Sequence, residues 1–125
     1  MKILLLNPPD QETIPEFPDE DGNSYIDTED FGFFPPLGLL YVLSSIEKAR
    51  PQHEYFFKDA VAERYDYKKL GKYFEELQPD IVGITSFTIS LVDILKTAEL
   101  IRETCGENVK IVLGGHHPIA FPFEA

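Results

Sequence analysis

Apolar positions fall into two alternating patterns along the chain. One is a short continuous run, seen at Ile3-Leu4-Leu5-Leu6, Ile81-Val82-Gly83-Ile84 and Ile111-Val112-Leu113. Runs of that length, closed by turn formers, are expected of strands buried on both faces of a parallel sheet. The other is a longer stretch with apolar residues three and four apart, the spacing of a helix with one packed face. Leu37, Leu40, Tyr41, Leu43 and Ile46 follow it to about Ala49. Leu70, Tyr73, Phe74 and Leu77 follow it within Tyr67–Leu77, and Leu91, Ile94, Leu95, Ala98 and Ile101 follow it from about Ser90 to Thr104. Pro79-Asp80 stops the second helix, and Gly106 is placed to cap the third. His53–Lys58, apolar at Tyr55 and Phe57, reads as one more strand.

These elements alternate as β-α-β-α-β-α-β, with strands at Lys2–Leu6, His53–Lys58, Asp80–Thr85 and Val109–Leu113. Such alternation predicts an α/β domain with helices on both faces of a parallel sheet. Right-handed crossovers, with the switch point after the first strand, predict the strand order 2-1-3-4 of a flavodoxin-like or Rossmann-like three-layer sandwich. The fifth strand and last helix usual in that fold do not follow, so the chain reads as a domain truncated before the fifth strand. A long segment from Asn7 to Pro36 joins the first strand to the first helix. Connections of that length are uncommon in compact domains and are usually functional or mobile.

Composition narrows the possible functions. The chain has 125 residues, 43% of them hydrophobic, enough for one domain with a core of its own. No apolar run is long enough to span a bilayer. Asn7-Pro8-Pro9 follows the first apolar run where a signal peptide would carry small residues, so a cytoplasmic protein is expected. The net charge of −11 argues against a nucleic-acid partner. Nine of the acids lie within residues 10–30, which hold no base. The single cysteine, Cys105, excludes an internal disulfide and a cysteine-based zinc or iron–sulfur site within this chain. On a helical pattern, it is expected to be a buried, inert thiol.

In sheets of this kind ligands sit beyond the carboxyl ends of the strands. Those ends are Asn7-Pro8-Pro9, Asp59-Ala60, Thr85-Ser86-Phe87-Thr88 and Gly114-Gly115-His116-His117. No Gly-x-Gly-x-x-Gly follows the first strand and no phosphate-binding loop motif occurs, which argues against dinucleotides and nucleoside triphosphates. No acid stands at the end of the third strand, as a phosphoacceptor domain would need, and no nucleophile has the local context of a hydrolase. What remains is a hydroxyl turn, Ser86-Phe87-Thr88, beside a glycine turn, Gly114-Gly115. Hydroxyls on one side and bare backbone on the other would form a slot for a flat or elongated ligand. Ser86 and Thr88 could equally cap the following helix, and the glycines could make a purely structural turn.

Three stretches also carry a resemblance. Pro35-Pro36-Leu37-Gly38-Leu39-Leu40-Tyr41-Val42, Asp80 through Thr88, and Val112-Leu113-Gly114-Gly115-His116-His117-Pro118 resemble the N-terminal cobalamin-binding domain of B12-dependent radical SAM proteins. That group includes the anaerobic Mg-protoporphyrin monomethyl ester cyclase type. The resemblance implies that cobalamin is the cofactor, with Ser86, Phe87 and Thr88 lining the channel for its nucleotide tail. It implies that Gly114 and Gly115 let the tail pass close to the backbone, with His117 and Pro118 alongside. Asn7, Pro8, Pro9 and the acidic segment would lie under the corrin. The family usually reads Gly-Gly-Pro-His-Pro where His116 here replaces the first proline. The Asp-x-His-x-x-Gly that supplies a lower axial histidine in other cobalamin domains is missing, because His53, His116 and His117 are the only histidines.

The resemblance further implies a 4Fe-4S cluster and S-adenosylmethionine in a C-terminal radical SAM domain in cis, so that no activity is expected of residues 1–125 alone. The alternative is a docking or scaffold domain of the same fold that has lost cobalamin. A second reading concerns the acidic segment. Asp19 to Asp30 places oxygen ligands at positions 1, 3, 5 and 9 of an EF-hand-like calcium loop. Ser24 stands where the turn glycine belongs, Asp30 where the bidentate glutamate belongs, and prolines flank the loop on both sides. A solvated acidic loop is therefore the expectation.

Overall fold

The computed structural model describes residues 1–12 and 35–123. The strands are β1 (Lys2–Asn7), β2 (Glu54–Asp59), β3 (Ile81–Ser86) and β4 (Lys110–Gly115); the helices are α1 (Leu37–Ala49), α2 (Tyr67–Leu77), α3 (Leu91–Cys105) and the short α4 (His116–Ala120). All pairings are parallel and the strand order is β2-β1-β3-β4. This is the expected doubly wound arrangement. Two differences bear on the site. Gly114 and Gly115 form the last two residues of β4, paired with Thr85 and Ser86, rather than a turn beyond it. α4 follows at once, where no helix was expected.

The two sheet faces differ. Leu4 and Leu6 of β1 and Val82 and Ile84 of β3 are fully buried against Leu70 and Phe74 of α2 and Ile94 and Ile101 of α3. Alternation along the strands sends the intervening residues to the other face. There α1 packs mainly on β1 and β2, contributes no buried residue of its own, and leaves Val112 of β4 exposed. The core thus sits between the sheet and the α2–α3 pair, and the α1 face opens toward the carboxyl ends of the strands.

Local signals set the element ends. The Asp66 side chain accepts the Lys69 N–H at 2.7 Å, capping α2. The Lys2 ammonium donates to the Leu77 carbonyl at 2.9 Å, satisfying the other end of the same helix. Gly106 ends α3 at φ +82°. Replacing Asp66 with Ala is expected to lower stability by about 1 kcal/mol, measured by urea unfolding at neutral pH. An unchanged midpoint would show that the cap contributes nothing here. Cys105 is half-buried, and its thiol faces the Phe74 carbonyl across α2 and α3 at 3.8 Å. The EF-hand-like stretch Asp19–Asp30 lies outside the described residues. Among the described residues no helix is long and apolar enough to cross a membrane, and no cluster of three metal-ligating side chains occurs.

Candidate functional site

The carboxyl ends of all four strands converge on one cleft of ≈ 700 Å³. Its lining comes from Asn7 of β1, Asp59 and the following Val61 and Ala62, Thr85 and Phe87 around the end of β3, Gly115 at the end of β4 with the adjoining His116, and Pro35 to Leu39 at the start of α1. A smaller pocket of ≈ 140 Å³ adjoins it and adds Pro8, Pro9, Asp10 and Ser90. The walls are largely apolar. Leu37, Phe87 and Ile89 stand about half-exposed or more around the opening, although each is a large hydrophobic residue. Exposed apolar groups gathered around a concavity mark a place where something apolar binds.

The polar groups in the cleft are few and held in place. Asn7 Nδ2 donates to Asp59 Oδ1 at 2.9 Å, and the Ala62 N–H donates to the same oxygen at 3.1 Å. Asp59 is buried to 8% exposure, and since it lines the cleft, its residual exposure is toward it. Thr85 lines the same cleft from β3. Parity along β3 decides this: Val82, Ile84 and Ser86 are buried on the α2–α3 side, so Thr85 faces the other way. Ser86 is fully buried with its Oγ lacking a partner among the described residues, and only its backbone approaches the glycine strand. The hydroxyl lining the cleft at the end of β3 is therefore Thr85, one residue before the position read from the sequence.

Thr88 and His117 meet each other rather than the cleft. Thr88 Oγ1 lies 3.2 Å from Nδ1 of His117, a residue buried to 3% exposure, and this contact joins the turn after β3 to α4. His117 Nε2 is buried without a partner among the described residues, and the ring packs on Phe121 at 5.4 Å. Ser90 holds the same turn shut: its hydroxyl donates to the Phe87 carbonyl at 3.0 Å and accepts the Phe87 N–H at 3.3 Å. Pro118 sits in the first turn of α4 and does not line the cleft. His116 does line it, with its ring stacked on Phe87 at 5.1 Å and 19°.

The two glycines play different parts. Gly115 has φ +101°, and a Cβ there would lie 2.7 Å from the Ser86 carbonyl oxygen and 2.9 Å from its nitrogen. Only glycine fits so close to the neighbouring strand in that conformation. A Cβ on Gly114 would meet nothing within 4 Å. Register pairs Gly114 with Thr85, which places it on the open face of the sheet beside the cleft.

A model of the B12 binding domain family matches residues 27–125. The chain belongs to the B12-binding domain family. Among relatives of this B12-binding domain, an uncharacterized methyltransferase of Pyrococcus horikoshii is 34% identical over 117 residues, covering 94% of this chain and 22% of that protein. The anaerobic magnesium-protoporphyrin IX monomethyl ester cyclase of Cereibacter sphaeroides is 35% identical over 86 residues, covering 69% of this chain and 14% of the cyclase. The chain thus spans less than a quarter of the length of either relative. No solved structure matches it significantly. The cleft suits the family's ligand in kind. It has apolar walls and a few fixed polar groups at the carboxyl ends of a parallel sheet, and the neighbouring strand face at Gly114 is open.

Proposed function

We propose that this domain holds cobalamin within a larger radical SAM enzyme and serves there as its corrinoid carrier. The observation that carries the proposal is the cleft itself: an apolar-rimmed concavity at the switch point of the sheet, beside a strand face kept free of side chains at Gly114. Leu37, Phe87 and Ile89 would cover the apolar edges of the macrocycle. Thr85, with Gly114 paired beside it, would flank the nucleotide tail. Asn7, Pro8 and Pro9 would support the lower face, and no histidine lies between Asn7 and Pro36 to take the lower axial position. Thr88, Ser90 and His117 would act indirectly, by fixing the turn that presents Phe87. Bound cobalamin supplies a cobalt centre able to carry a methyl group or exchange electrons. This chain's residues clamp it, exclude water beneath it and leave the upper face for the rest of the enzyme. The cluster and S-adenosylmethionine would belong to a separate domain, and the names of the two relatives make methyl transfer and cyclisation the reaction classes to test first.

The experiment is retention. Full-length protein is mixed anaerobically with hydroxocobalamin and desalted, and its visible spectrum is recorded. Stoichiometric corrinoid absorbance should elute with the protein. Gly114→Leu, which fills the open face without touching the strand pairing, should elute with little or none. Colourless wild-type protein would leave the docking-domain alternative.

A further inference from the structure

We infer that Asp59 makes the cleft selective for an amide-bearing, uncharged corrinoid edge over the corresponding carboxylate. The inference rests on the corrinoid reading above. Oδ1 of Asp59 is fully engaged, by Asn7 Nδ2 at 2.9 Å and by the Ala62 N–H at 3.1 Å. These two donors fix the carboxylate plane. Oδ2 has no hydrogen-bond partner among the described residues, and the side chain lines the cleft. Among the described residues no lysine or arginine lines the cleft to compensate it. A ligand that covers this oxygen removes its water, and a desolvated carboxylate left without a donor is costly. The ligand must therefore bring an N–H or O–H.

The corrin periphery carries primary carboxamides, each offering two N–H donors. One of them set against Oδ2 completes the carboxylate's hydrogen bonding. A carboxylate at the same place offers no donor and adds like-charge repulsion inside a largely apolar wall. Asp59 then reads a single peripheral substituent, which distinguishes it from a general effect of the −11 net charge.

The test uses hydroxocobalamin and its three isomeric b-, d- and e-monocarboxylic acids with the full-length protein, measuring affinity by spectroscopic titration at neutral pH. One isomer should bind weaker than hydroxocobalamin by roughly tenfold or more, and the others should bind much as the parent does. Asp59→Asn, which can both accept and donate, should bring that isomer to within a few-fold of cobalamin. An equal penalty for all three isomers that fades in high salt would assign the discrimination to overall charge and overturn the inference. So would equal binding of all four ligands by the wild type, a result that needs no variant to fold. Failure to bind hydroxocobalamin itself removes the corrinoid reading, and this inference with it.

Discussion

Gly115→Ala should destabilise the domain by roughly 2–4 kcal/mol, a drop in thermal midpoint on the order of 10 °C. Two effects combine. The residue sits at φ +101°, where an L side chain is strained, and its Cβ would press to 2.7 Å on the carbonyl oxygen of Ser86. That atom belongs to backbone, so no rotamer change relieves the contact. Relief requires parting the β3–β4 pairing at Ser86 and Gly115, where both strands open onto the cleft. The adjacent Gly114→Ala should behave in the opposite way. Its φ is not positive and the space at its Cβ is clear, so stability should stay within about 0.5 kcal/mol of wild type. Calorimetry of both variants checks the split. Equal destabilisation at the two sites would mean that neither the close approach nor the positive φ at Gly115 matters. The contrast also shows which glycine to use as a binding probe: a bulky residue at 115 tests folding first, and one at 114 tests the open face.

The fold was readable because its signals are redundant. The continuous runs at Leu4–Leu6 and Val82–Ile84, the stripes at Leu70–Leu77 and Ile94–Ile101, and the proline and glycine breaks all agree with one alternation. That alternation admits few topologies. The strand ends that form the cleft were readable, but which of their side chains line it was less so, and the shortfall has a physical cause. A run apolar at every position hides which residues share a face, so nothing in Ile84-Thr85-Ser86 showed that Thr85 rather than Ser86 faces the cleft. Asp59 stands at a strand end, as expected, but its importance comes from Asn7, 52 positions away, which only the β1–β2 pairing brings within 2.9 Å. The Gly-Gly pair looked like a turn because glycines usually punctuate. Here the ladder runs through both, and the close approach of the neighbouring strand requires the second to be glycine. Thr88 and His117 fell into the expected region, yet Thr88 Oγ1 and His117 Nδ1 face each other rather than the cleft. That pairing needs α4, a five-residue helix too short to announce itself in the sequence.

Asp93→Ala should remove roughly 2–4 kcal/mol of stability and loosen the segment after β1. Asp93 is fully buried in the first turn of α3. Its carboxylate accepts the Tyr67 hydroxyl at the start of α2 and the Glu12 N–H at 3.1 Å and 3.2 Å. Glu12 also meets Lys96 at 2.5 Å, an exposed pair that adds little by itself. One buried carboxylate therefore ties α2, α3 and the chain just past Pro8 and the fully buried Pro9, the residues proposed to support the corrin. Removing it strands at least two donors, whereas Tyr67→Phe removes one donor and should lower stability by about 1 kcal/mol. The double variant should lose less than the sum of the two, since the two changes delete the same bond. A pH signature accompanies this. Burial, then the hydrogen bond and charge of Asp93, then the charge of Glu12, raise the Tyr67 phenol above the ordinary tyrosine value near 10. A proton held more tightly in the folded state contributes fully below that value and is lost as pH rises beyond it. The advantage of wild type over Tyr67→Phe should thus hold at neutral pH and shrink steadily above pH 10. Urea unfolding of the four proteins at pH 7, with wild type and Tyr67→Phe repeated at pH 9 and 10.5, separates the outcomes. Strict additivity together with a pH-independent difference would remove Asp93 as the acceptor of the Tyr67 proton, and with it the latch that holds the post-β1 segment beside the cleft.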